Sequence, residues 1–303
     1  MNFNISDYSS RIFNDVNDIF YAKDNSCDSK LERIRNLAEI IGRYILDWGP
    51  EKSTSLGNIK EELKKVENNP LLINAVAVIN ILGVDYAHTQ TIKPADEEMV
   101  EKGKNSLNDM YAFIFIRYFQ KYEFGSNEKI ERCFSLLPPI VRFKCLDYLY
   151  ENGCKLNREV IIKRLLALLK SSNEKKAIKW LNSHGAELKN MKSLVVEQLT
   201  DRLGASWQNF YRVDDMPMNF YDECLLKIKQ VGYMLKQNGK MYQNFEEAVR
   251  FYELNGKLEG NSEEVSEFNR NMEFVYAGRK VSKNDKNPNN YVTANVWSIN
   301  KIK

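Results

Sequence analysis

Histidine is nearly missing: the 303 residues contain two, His88 and His184. The five cysteines, Cys27, Cys133, Cys145, Cys154 and Cys224, form no Cys-x-x-Cys pair. Zinc is held by closely spaced Cys and His, so a zinc site of the usual kind is excluded. An odd number of thiols without a framework reads as reduced cysteines in a cytoplasmic protein. Gly-x-Ser-x-Gly, a Walker-type phosphate loop and Gly-x-Gly-x-x-Gly are all missing, which removes the common hydrolase and nucleotide-cradle readings. No metal and no cofactor is expected. Long apolar runs are missing too. The longest, Tyr111–Phe119, contains Arg117 and is too short to cross a bilayer, so it reads as a buried helix. The first twenty residues show no basic stretch followed by an apolar core, so no secretory leader and no membrane association are expected.

An excess of charge of one sign is also lacking. Lys and Arg total 44 against 41 Asp and Glu, a net charge of +3, so uniform basic binding to nucleic acid is not implied. The distribution is uneven. Residues 1–127 carry 15 basic and 19 acidic side chains, whereas 128–200 carry 14 and 8, and 278–303 carry 6 and 1. The middle segment and the tail are therefore the places to look for a polyanion. Its candidate surface comprises Arg142, Lys144, Lys163, Arg164, Lys170, Lys175, Lys176 and Lys179, with Tyr148 and Trp180 as nearby aromatics. The competing reading is a set of solvated helix faces, with the aromatics in the core.

What is present is helical periodicity. Hydrophobic residues make up 43% of the chain, enough for a real core, and the length suggests two domains. Ile34, Leu37, Ala38, Ile41, Tyr44, Ile45 and Trp48 recur along one face of a helix over 29–48, with Arg35, Glu39 and Arg43 on the other side. Gly49-Pro50 is expected to end it. Ser53-Thr54-Ser55 can cap the next helix. Asn68-Asn69-Pro70 breaks again before a helix whose pattern stops near Gly83. Pro94 is expected in the first turn of a helix reaching about Tyr122. Further helices are expected from Pro138-Pro139 to about Asn152 and after Asn157 and Asn173, the last ending at His184-Gly185. Two more are expected over 187–203 and 220–237. Phe274-Val275-Tyr276 and Tyr291–Ile299 are rich in β-formers and suggest a small terminal β-hairpin. Asp214-Asp215 reads as a turn or helix start rather than as metal ligands.

Residues 30–122 resemble the HEPN-type domain (higher eukaryote and prokaryote nucleotide-binding) found in bacterial restriction and antiviral defence proteins. The resemblance rests on LERIRNLAEIIGRYIL at 31–46, SLGNIKEEL at 55–63, NILGVDYAHTQ at 80–90 and KPADEEMVEKGKNSLNDMYAFIFIRYF at 93–119. It implies a HEPN-like helical bundle over 1–125, followed over 126–303 by a second helical region, the fold being mainly α. Catalytic members of the group are metal-independent ribonucleases carrying an Arg and a His with four to six residues between them. The His shuttles the proton of the 2′-hydroxyl and the Arg holds the phosphate. Here His88 occupies the Ala-His position, but Ile81, Leu82 and Gly83 before it supply no arginine. Arg33, Arg35 or Arg43 of the preceding helix would have to substitute, and Arg35 is taken with His88 as the candidate catalytic pair. A structural role for His88 at the helix junction competes with that. His184 reads as a helix-end residue.

The resemblance implies a component of a bacterial phage-defence system. It would act as a helical protein-interaction or RNA-contacting module, associated with itself, with a partner defence subunit, or with RNA or DNA. A ribonuclease effector using His88 is the first alternative. A structural adaptor recognising a phage or partner protein is the second.

Overall fold

The computed structural model describes residues 2–87, 94–209, 216–240 and 243–281. The fold is mainly α, with fourteen α-helices among the described residues. The only strand-like pairing there is an isolated antiparallel bridge between Lys192 and Asn219. No described helix is long and apolar enough to cross a membrane. The chain forms two compact units: Met1–Glu123 with Phe251–Ser282, and a second built on Phe124–Arg250. Residues 251–282 group with the first unit although they follow residues 124–250 in sequence.

The first unit begins with α1 (Ile5–Phe20), capped by Asn4, which sequence reading did not place. Its buried Tyr8, Ile12, Val16 and Ile19 recur every three or four residues and pack on α2 (Cys27–Leu46). Helix α2 ends earlier than Gly49-Pro50. Asp47 takes the left-handed conformation (φ 54°), and its carboxylate accepts the backbone N–H groups of Asn2 and Phe3 at 3.0 Å each. Ser55 caps α3 (Leu56–Val66), and Asn69 caps α4 (Pro70–Ala87) through the Leu72 N–H at 3.3 Å. Helix α4 continues past Gly83 because this glycine is a contact point, not a stop. A Cβ there would lie 2.6 Å from Cδ of Arg35. Helix α5 (Glu97–Lys121) is capped by Asp96, so Pro94 lies three residues before the first helical residue rather than in the first turn.

Along Tyr111–Phe119 every residue but Arg117 is buried. Arg117 turns its guanidinium to the Ile45 carbonyl (2.7 Å) and to Glu67 (3.3 Å). The stripe is covered within the unit. Helix α14 (Glu263–Tyr276) lays Phe268 against Tyr118 and Phe115, with ring centroids 5.4 and 6.1 Å apart. Lys121 joins Glu263 and Glu267 at 2.8 Å. The apolar face of Tyr111–Phe119 is therefore covered by the chain itself, as a buried helix requires. Phe274-Val275-Tyr276, expected in a strand, form the last turn of α14, where Phe274 stacks on Tyr44 at 4.0 Å. Tertiary packing overrides their β propensity. The other expected strand, Tyr291–Ile299, lies outside the described residues.

The second unit holds α6 (Glu128–Phe134), α7 (Pro139–Glu151), α8 (Arg158–Ser171), α9 (Glu174–Ser183), α10 (Gly185–Lys189), α11 (Leu194–Leu203) and α12 (Phe220–Asn238). A short 3-10 helix spans Gly204–Asn209. Helices α7 and α8 form an antiparallel pair. The pair turns at Gly153, whose φ of 134° suits a residue without Cβ. Asn157 and Asn173 cap α8 and α9, through the N–H groups of Val160 (3.1 Å) and Lys176 (2.9 Å). The stretch 187–203 is two helices rather than one. Between them Ser193 starts α11, and the buried Glu223 carboxylate accepts the Ser193 hydroxyl (2.9 Å) and the Leu194 N–H (2.7 Å). The boundary between the two units in sequence, Arg250 to Phe251, falls within α13 (Phe245–Asn255).

Candidate nucleic-acid interface

The basic residues of the middle segment separate by burial. Arg142 and Arg164 leave the candidate surface. Arg142 is 8% exposed, and its Nε–H donates to the Leu137 carbonyl at 2.8 Å, tying the turn before α7 to the helix. Arg164 is 4% exposed and donates Nε–H to Asp147 at 2.7 Å. Its guanidinium lies 4.3 Å from the Trp180 ring centre and 5.4 Å from Phe143 and Tyr150. Sequence alone missed this because an arginine at helical spacing looks the same whether its partner is water or three aromatic rings. The His184 ring stacks on Trp180 at 4.0 Å, and its Nδ1 lies 2.9 Å from the Trp180 carbonyl at the end of α9. Trp180 is thus committed to the chain's own side chains rather than to a nucleic-acid base.

Lys144 and Lys163 are half-buried, and Lys163 lies 3.8 Å from Glu131. Lys175, Lys176 and Lys179 are exposed. Their spacing puts Lys175 and Lys179 one turn apart on α9, with Lys176 adjacent. None of the three makes an ion pair among the described residues. Glu174, the acidic residue of the first turn, is taken by Lys236 at 2.9 Å. Two of the three lysines therefore sit at the positive end of a helix, where cations are unfavourable, without a compensating carboxylate. Ala177 and Leu181 anchor the opposite face of α9 in the core, which holds the stripe towards solvent.

The arginines of α2 also separate. Arg33 pairs with Asp18 at 3.1 Å and Asp15 at 3.5 Å. Arg43 donates to the carbonyls of Gly49 (3.3 Å) and Lys52 (2.7 Å), fastening the loop after the helix. Arg35 has the loosest partner of the three. Glu39 is 3.8 Å away and already accepts the Leu56 N–H at 3.0 Å. The stem of Arg35 rests on Gly83 of α4, five residues before His88. His88 itself, like Asp214-Asp215, lies outside the described residues. Among the described residues no group of three His, Cys, Asp or Glu is placed to hold a metal ion.

No protein-family model, curated protein or solved structure matches the chain.

Proposed function

We propose that this chain is a cytoplasmic component of a bacterial phage-defence system and contacts RNA through the exposed face of α9. The defence setting is supported by the HEPN-like resemblance of residues 30–122. The contact is carried by one observation: Lys175, Lys176 and Lys179 are exposed and uncompensated, and the first two stand unfavourably against the helix dipole. A phosphate backbone relieves all three conditions together, and its binding is salt-dependent through counterion release. The test is fluorescence anisotropy of a labelled single-stranded RNA at low and physiological salt. Submicromolar binding that weakens steeply with salt is expected. Salt-insensitive or undetectable binding contradicts the reading and favours the adaptor.

A second reading is a metal-independent ribonuclease using His88 and Arg35. It is favoured by the contact of Arg35 with α4 at Gly83 and by the loose pairing of Arg35 with Glu39. The assay is cleavage of single-stranded RNA in EDTA, comparing wild type with His88→Ala. No cleavage by the purified chain is expected. Robust cleavage that the variant loses would promote the enzyme.

A further inference from the structure

Helix α12 carries an open aromatic ring beside the lysine stripe of α9. Its Phe220, Cys224, Ile228 and Val231 are buried on one side. Tyr233 falls on the opposite side by helical spacing and is 65% exposed. It makes no hydrogen bond or ring contact among the described residues. Lys229 and Lys236, both exposed, stand four residues before it and three after, so they flank it along one stripe. Between Glu223 and Glu246 the chain has no acidic residue.

Three contacts set this stripe against the start of α9. Lys236 pairs with Glu174, the first residue of α9, at 2.9 Å. A Cβ on Gly232 would lie 3.2 Å from the same carboxylate. Lys240, just past α12, donates its Nζ–H to the Ser172 carbonyl at 3.0 Å. Lys175 and Lys176 follow Glu174 directly, so the lysines of α9 continue those of α12, with the Glu174 carboxylate at the junction already paired. Lysines alone hold any phosphate chain, duplex or single. A ring open to solvent among them is a surface on which an unpaired base stacks, whereas a duplex keeps its bases stacked on one another.

We infer that Tyr233 is a base-stacking platform, and that α9 and α12 together take single-stranded RNA, the lysines holding phosphates on either side of the stacked base. This deepens the RNA reading above and rests on it.

The test is anisotropy of the full chain with three labelled probes of one length: a single-stranded RNA, the same strand with abasic residues, and its duplex. The wild type is expected to bind the single strand roughly tenfold more tightly than either of the others. Tyr233→Ala, checked for unchanged helicity, is expected to weaken the single strand roughly tenfold and the abasic strand less than about twofold. It should leave the slope of log K against log salt unchanged, because stacking releases no counterion. Tyr233→Phe keeps the ring and is expected to bind as the wild type does. Lys229→Gln shows the reverse pattern, a slope shallower by about 0.7 with the preference for bases kept. Equal binding of all three probes, or a single-strand affinity that Tyr233→Ala leaves unchanged, overturns the platform while the contact at α9 stands. Absence of binding to any probe by the wild type overturns both readings in favour of the adaptor.

Discussion

Helices α3 and α9 are short, lysine-rich and exposed on one face, yet they treat their charges in opposite ways. In α3, Lys60 and Lys64 meet Glu61 at 3.3 and 3.1 Å, and Lys65 meets Glu62 at 2.8 Å. Lys64 and Lys65 stand in the last turn, where the dipole favours cations. The Glu61 carboxyl is held below its usual range first by hydrogen bonds from Lys64 and Lys60, and Glu62 likewise by Lys65. In α9 two of the three lysines stand in the first turn, and none of the three has such a partner among the described residues. In helix α3 the local field closes on itself. Helix α9 leaves a field open to solvent, which is what a phosphate chain can use. The difference separates paired from unpaired charge when composition cannot.

The largest expected effect breaks the comparison outright. Replacing Lys175, Lys176 and Lys179 by Glu should weaken RNA affinity at least 100-fold at low salt, measured by anisotropy. The same change at Lys60, Lys64 and Lys65 should alter it less than threefold. Next comes the buried cation beside the stripe. Arg164→Met should destabilise the chain by about 2–4 kcal/mol in urea unfolding, because it strips Asp147 of its partner and Trp180 of a stacked guanidinium. RNA affinity per folded molecule should not change, since Arg164 is not part of the exposed stripe.

A smaller effect sharpens the contrast from the other side, where pairing fails to compensate. Asp15 is 3% exposed, and burial raises its carboxyl to about 6 despite the opposing charge of Arg33. The folded state therefore takes up a proton between about pH 4 and 6 that the unfolded state does not hold. The stability contributed by protonated Asp15 is fully present below the ordinary value of 3.8 and is lost as pH rises through about 6. Asp15→Asn should flatten that part of the stability profile and gain roughly 1–3 kcal/mol at pH 7. An unchanged slope between pH 4 and 6 in urea titrations would contradict this assignment. The smallest effect is on α9 itself. Lys175→Glu should raise stability by roughly a few tenths of a kcal/mol, as a first-turn acid suits the dipole, while weakening RNA binding.

Much of the fold was legible because caps and periodicity agree along the chain. Ser55, Asn157 and Asn173 all cap the helices expected of them. The failures have physical causes. Gly83 looked like a stop and is a close approach, because a glycine does not announce whether a missing Cβ serves the backbone or a neighbour's side chain. The return of α14 to α5 depends on partners some 150 residues away in sequence, which no local pattern carries, as the Tyr118 hydroxyl bonded to the Glu264 carbonyl shows. The candidate surface was half legible. Lysines 175, 176 and 179 are exposed as read, whereas Arg142 and Arg164 are interior cations whose partners come from other helices or turns.

The most direct test is the salt dependence of RNA binding by wild type and by the Lys175→Ala, Lys176→Ala, Lys179→Ala triple variant. Each phosphate neutralised on a single strand contributes about 0.7 to the slope of log K against log salt. The triple variant should therefore bind with a slope shallower by about 2, and the equivalent α3 variant with the slope of the wild type. Equal slopes in all three proteins would show that the open charge of α9 plays no part in binding.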